Sequence, residues 1–221
     1  MYKRQDLGRL TGKQRQSVFD AFGPEKGMQL YDRGIRRRFA PMLAGDPRRI
    51  RLAYSLMFTL PGTPVLRYGD EIGMGVELPL KERDCARTPM QWTSEYQGGF
   101  STADRTVIPL IDHGPYGYAH VNVADQRHEA DSLLNCMQSM IRQRKEAPEI
   151  GWGDVVPMET GRPSVLALRY DWRGNAILCV HNLAPEPVEV AMASGVEDPE
   201  HDILVDVLTG SRSEVGEDGR H

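Results

Sequence analysis

Over the first sixty residues, apolar positions recur at helical spacing and are cut by residues that end helices. Thr11 can cap a helix, Gln14 three residues on completes a capping box, and Val18, Phe19 and Phe22 follow before Gly23-Pro24 stops the run. A second helix is expected over about 28–39, ahead of Pro41, with Arg36, Arg37 and Arg38 on its solvated face. A third opens at Asp46-Pro47, where Asp serves as cap and Pro suits the first turn. In it Ile50, Ala53, Met57 and Leu60, with Leu52 and Leu56 beside them, make a wide apolar stripe that other structure must cover. Pro61-Gly62 ends it.

The short apolar run 64–68, bounded by Gly62 and Gly69, predicts a buried strand directly after that helix, which is half of an α/β repeat. From Gly69 to about Ala130 the periodicity disappears. Connections of this length are functional or disordered, and Trp92, Tyr96, Phe100, Tyr116 and Tyr118, with Arg83 and Arg87, argue for order. A helix is expected from Asp131-Ser132 to about Lys145, with Leu133, Leu134, Met137, Met140 and Ile141 on one side and basic residues near its end. Beyond Pro148 the character turns to β: runs at 164–170 and 176–182 flank a hairpin signal, and further strands are expected at 187–192 and 203–208. These make a small antiparallel module of four or five strands, with a boundary near 148–163.

Composition narrows the class. With 40% hydrophobic and 26% charged residues and a mean hydropathy of −0.47, a folded core is expected and wholesale disorder excluded. A formal charge of −4 gives no general basic field, so nucleic acid is not an expected partner. No apolar run approaches the roughly 20 residues a bilayer span needs, and no signal stretch opens the chain, so neither a membrane nor export is expected and the chain is placed in the cytoplasm. Cys85, Cys136 and Cys179 stand far apart in no ligand spacing and read as reduced structural thiols.

Candidate chemistry gathers in the long loop. Carboxylates beside aromatics and arginine are the materials of a sugar site, because rings stack on apolar faces and hydroxyls need polar partners. Asp70 and Glu71 could supply such groups, but neighbours on an extended chain point apart and cannot flank one glycosidic bond. They read rather as turn or helix-start residues. Asp112, His113, His120 and His128 match no zinc spacing, so no metal is expected. No nucleophile elbow, phosphate loop or dinucleotide fingerprint appears, and no cofactor is expected. Arg87-Thr88-Pro89-Met90-Gln91-Trp92 has two open readings: a packed turn, or a segment placing Arg87 or Gln91 in a polyol pocket.

That string, with Gly62-Thr63-Pro64-Val65-Leu66-Arg67-Tyr68-Gly69-Asp70-Glu71-Ile72-Gly73-Met74 before it and Gly99-Phe100-Ser101 after it, resembles the trehalose synthase (maltose α-glucosyltransferase) branch of the α-amylase superfamily of glycoside hydrolases. The likeness extends through 29–43, 122–126 and 144–152. It implies an α/β plus β fold: residues 1–150 as the C-terminal part of a (β/α)8 TIM barrel with a long loop after the eighth strand at 64–68, and residues 151–221 as a truncated antiparallel β-sandwich. The loop after Tyr68 would then lie on the catalytic face. The implied chemistry is retaining transfer or hydrolysis on α-glucosides such as maltose or trehalose, through a carboxylate nucleophile and a carboxylic acid.

By the same resemblance Arg87 binds the substrate glucose, Asp70, Glu71 and Gln91 shape the site, and no metal is implied. The family's nucleophile and acid motifs lie upstream of everything here. Its third carboxylate belongs to an Asn-His-Asp string expected just before Leu7-Gly8-Arg9-Leu10, where this chain reads Met1-Tyr2-Lys3-Arg4-Gln5. The expectation is a C-terminal portion of such an enzyme with no catalytic residue of its own, inactive alone. The rival is a non-catalytic carbohydrate-binding or assembly module that pairs with a separate N-terminal half or with its own copies, since a partial barrel leaves edges and apolar faces uncovered.

Overall fold

The structure is a computed structural model that describes residues 6–30, 34–191, 203–206 and 211–214. The chain divides into two compact units, Met1–Ala53 with Val65–Met137, and Tyr54–Pro64 with Gln138–His221.

The helices of the sequence reading form where capping chemistry is strong. Helix α1 spans Gly12–Phe22: the Gln14 N–H donates to Thr11 Oγ1 at 3.3 Å and Gln14 Oε1 accepts the Thr11 N–H at 2.9 Å, completing the capping box. Gly23 ends it by donating its N–H to the Phe19 carbonyl. After a single turn, α2 (Phe39–Met42), helix α3 spans Pro47–Thr59, with Asp46 Oδ1 accepting the N–H groups of Arg48 and Arg49. Its fully buried line is Ile50, Tyr54 and Phe58. Ala53 and Met57 are only half-buried and Leu60 is 42% exposed, so the apolar stripe lies one position round the helix from the expected one. Helices α4 (Val123–His128) and α5 (Leu133–Glu146) follow, capped by Asn122 and Ser132.

Two expected elements do not form. In place of the helix over 28–39, the described residues form a short antiparallel pair, β1 (Gln29–Leu30) with β2 (Gly34–Ile35), and residues 31–33 lie outside the described residues. The arginines that follow are not a solvated helix face. Arg36 donates to the carbonyls of Gly27, Leu80 and Glu82, Arg37 to those of Phe22 and Pro41, and Arg38 is 4% exposed. A run of helix would carry these side chains round its axis, whereas non-helical backbone lets each reach a different loop. The buried strand expected at 64–68 does not form: 64–67 have no regular structure, residue 68 is in a turn, and Val65 is 82% exposed. A strand exists only through its ladder, and no described segment pairs with this one.

In the second unit, α6 (Pro148–Trp152) leads into a three-stranded antiparallel sheet of order β3-β4-β5, built from Asp154–Met158, Val165–Trp172 and Asn175–Asn182. The β4–β5 hairpin pairs Trp172 with Asn175 across Arg173 and Gly174, whose positive φ values of 53° and 84° suit a two-residue turn. Leu168, Tyr170 and Cys179 form its core, with Ile150, Leu166 and Ile177 packed against them. The expected strand at 187–192 is not one over 187–191, and residue 192 lies outside the described residues. Strand β6 (Ile203–Val205) pairs with β7 (Arg212–Glu214); residues 207–208 of the expected strand are not described. Among the described residues no helix is long and apolar enough to cross a membrane.

Candidate functional site

The loop after residue 68 begins with a tight turn. Gly69 and Gly73, at φ 85° and 74°, bracket a single 3-10 turn, Asp70–Ile72, and the Met74 N–H closes it on the Gly69 carbonyl at 3.0 Å. The turn drives Ile72 and Met74 into an apolar cluster with Met90 and Val123. It leaves Asp70 facing Arg38, whose Nη1 donates to Asp70 Oδ1 at 2.7 Å and to the Tyr68 carbonyl at 3.0 Å. Glu71 is half-buried on the same turn. Asp70 thus sits in a tight turn, ion-paired to Arg38.

The segment carrying Arg87 is held on both sides of that residue. Arg38 Nη2 donates to the Ala86 carbonyl at 2.9 Å, and the Tyr68 hydroxyl donates to the Thr88 carbonyl at 3.0 Å. The Arg87 N–H donates to the Asp84 carbonyl at 2.9 Å, while its exposed guanidinium stands 3.5 Å from Asp84 Oδ1. Thr88, Pro89, Met90 and Gln91 are buried. Gln91, with 0% exposure, donates from Nε2 to the carbonyls of Val121 at 2.5 Å and Tyr116 at 3.1 Å. Its own backbone carbonyl accepts the Val123 N–H. Trp92 and Thr93 both donate to the Gly98 carbonyl, folding the chain so that Trp92, Tyr96 and Phe100 stay exposed on one short segment.

The arrangement supplies an exposed guanidinium, presented from a rigid buried base, with aromatic faces further along the same string. A guanidinium can donate to adjacent hydroxyls and an aromatic face can stack on a sugar ring. The two carboxylates beside it are both engaged, Asp70 by Arg38 and Asp84 by Arg87. A separate concavity of about 410 Å³ is walled by Ala40, Ile50, Ile72, Tyr116 and Leu133, and none of the four sequence-predicted site residues lines it.

The loop histidines do not converge. His113 is held by Asp112 at 3.0 Å, and that hydrogen bond, with the nearby Glu77 charge, raises its pKa above the usual range. Among the described residues no three His, Cys, Asp or Glu side chains could hold one metal ion together. Burial pushes the Cys179 thiol up to about 11, the signature of an inert structural cysteine. Sequence reasoning missed Arg38, Asn122 and Gln126. Asn122 is buried and bonds Tyr118 O and Asp125, and Gln126 bridges Ile72 O to the Leu134 N–H. A buried arginine leaves no composition signal, but a polar residue in a window of Gly, Pro and aromatics does mark where loop carbonyls need donors.

The chain belongs to the alpha-amylase family: the family model "Alpha amylase, catalytic domain" matches residues 35–153. It is 40% identical over 191 residues to the trehalose synthase/amylase TreS of Mycobacterium tuberculosis, and 37% identical over 181 residues to the trehalose synthase of Thermus thermophilus. These alignments take in 83% and 80% of this chain. The chain spans about a third of the first relative's length and 19% of the second's. Among solved structures it resembles the alpha-amylase from H. orenii, with a TM-score of 0.58 and 29% identity, over 72% of this chain and 30% of that one. Family and structural likeness together make part of the chain a portion of a TIM barrel, and small antiparallel sheets accompany it.

Proposed function

We propose that this chain contributes part of a cytoplasmic enzyme acting on α-glucosides such as maltose or trehalose, by retaining glucosyl transfer or hydrolysis, and that its 221 residues have no turnover alone. The observation that carries the reading is 40% identity across 83% of the chain to a trehalose synthase/amylase. On this reading residues 1–150 are barrel, with the loop after 68 on its catalytic face, and 151–221 are part of a β-sandwich. Arg87 contacts the glucose hydroxyls, while Asp70, Glu71 and Gln91 give the pocket its shape. Retaining chemistry needs two carboxyl groups about 5 Å apart across one bond. The family's nucleophile and acid motifs match no residues of this chain, which supports an absence of turnover.

The test is incubation of the pure chain with maltose, followed by chromatography for trehalose and glucose. No product is expected. Steady turnover that survives further purification would overturn the reading. A second reading, an assembly module that completes a separate N-terminal half or pairs with its own copy, is favoured by residues 63–67, which have no described ladder partner and carry the exposed Val65. Activity that appears only on mixing with such a half would support it, and a monomer indifferent to that half would count against it.

A further inference from the structure

Arg38 is a buried arginine of the first unit whose hydrogen bonds tie the turn at 68–70 to the segment that carries Arg87. Its guanidinium is buried, and its two terminal nitrogens serve three acceptors: the Tyr68 carbonyl, the Asp70 carboxylate and the Ala86 carbonyl. The Tyr68 ring lies 6.0 Å from the guanidinium carbon, and its hydroxyl reaches the Thr88 carbonyl. Residues 86 and 88 are therefore both fixed, one by each partner, and Arg87 is the residue between them.

We propose that Arg38 and Tyr68 are a positioning pair that holds Arg87 in its substrate-facing direction. This deepens the assignment of Arg87 as the glucose-contacting residue and rests on it. The physical reason is entropic. An exposed arginine on a free loop would surrender backbone and side-chain freedom on meeting a sugar, whereas one with both flanking carbonyls pinned has lost the backbone share beforehand. Asp70 balances the buried positive charge, without which burial of the guanidinium would be unfavourable. Lysine could not replace Arg38: an ammonium is a point donor, and a planar fork is needed to serve acceptors on two separate segments. Asp70, assigned to site shaping, acts through Arg38 rather than on a ligand.

The experiment uses the full chain, labelled with nitrogen-15. Amide exchange at Arg87 and the heteronuclear NOE of its side-chain Nε–H are read in wild type, R38A, R38K and Y68F, with an α1 amide as control. Tyr68→Phe removes one oxygen from a half-exposed ring, so it decides the matter even where Arg38→Ala fails to fold. Exchange at Arg87 is expected to quicken at least tenfold in R38A and Y68F, with α1 unchanged and R38K in between. Unchanged exchange and an unchanged Nε–H signal in the folded variants would overturn the positioning role. Maltose titration separates the two ideas. A maltose-dependent shift at Arg87 in wild type, weakened about tenfold in Y68F, supports both. A shift in wild type that the variants retain in full sinks the positioning pair alone. No shift in wild type, with exchange quickened in the variants, sinks the sugar assignment alone.

Discussion

The loop from 69 to 122 and the sheet formed by β3, β4 and β5 solve one problem in opposite ways. Both bury backbone, and buried N–H and C=O groups must find partners. In the sheet the backbone pairs with itself over two continuous antiparallel registers, leaving side chains free to build an apolar core. In the loop there is no ladder. Its carbonyls at Leu80, Glu82, Ala86, Tyr116, Tyr118 and Val121 take their donors from Arg36, Arg38, Gln91 and Asn122. The sheet rests on greasy residues and forgives polar ones, while the loop rests on a few polar residues that no apolar substitute can imitate.

That contrast is open to attack at three points. Leu168→Ala in the sheet core is expected to lose about 3 kcal/mol through lost transfer and a residual cavity. Urea unfolding followed by circular dichroism reads it, and a loss under about 1 kcal/mol would mean the sheet does not depend on its core. Gln91→Leu keeps the volume roughly but strands the Tyr116 and Val121 carbonyls, and is expected to cost about 2 kcal/mol. Were that variant as stable as wild type, the claim that the loop stands on polar side chains would fail.

The smallest effect is a test by pH. His181, 4% exposed, places Nε2 against Ser55 Oγ at 3.0 Å and Thr59 Oγ1 at 3.2 Å, while its Nδ1 is buried without a partner. Burial lowers its pKa below the ordinary 6.5. The unfolded chain therefore takes up a proton that the folded chain refuses. Its contribution is fully present above pH 6.5, falls as pH drops below that value, and levels off beneath the lowered folded value. His113 works in the opposite direction, since its folded pKa is raised. The difference in urea midpoint between wild type and His181→Asn, followed from pH 7.5 to 5, isolates the buried ring. A difference that does not change with pH would remove His181 from the account.

The legible parts of the molecule are those whose cause is local. The Thr11–Gln14 capping box, the Asp46 cap, the helix closing at basic residues and the hairpin turn at Arg173-Gly174 each lie within a few residues of sequence, and each forms. What the sequence hid is non-local. Arg36 and Arg38 read as part of a solvated helix face because most of their acceptors lie some thirty to fifty residues away, at 68, 70, 80, 82 and 86. Residues 64–68 have the composition of a strand, but composition cannot supply a neighbour. Strand β3 and helix α6 both fall inside the stretch 148–163, which reads from its composition as a boundary between units. Of the candidate site, the string around Arg87 stood out from its residue types alone. The guanidinium beneath it did not.

Strand β3 also carries a consequence for how the molecule behaves in a crowded solution. Among the described residues it is an outer strand, its Val155 and Val156 face water, and the next position is Pro157, which has no hydrogen to donate. Proline is among the residues with which natural sheets blunt such a border against docking by a foreign strand. One ring atom at position 157 thus discourages the runaway stacking that two neighbouring valines would otherwise invite.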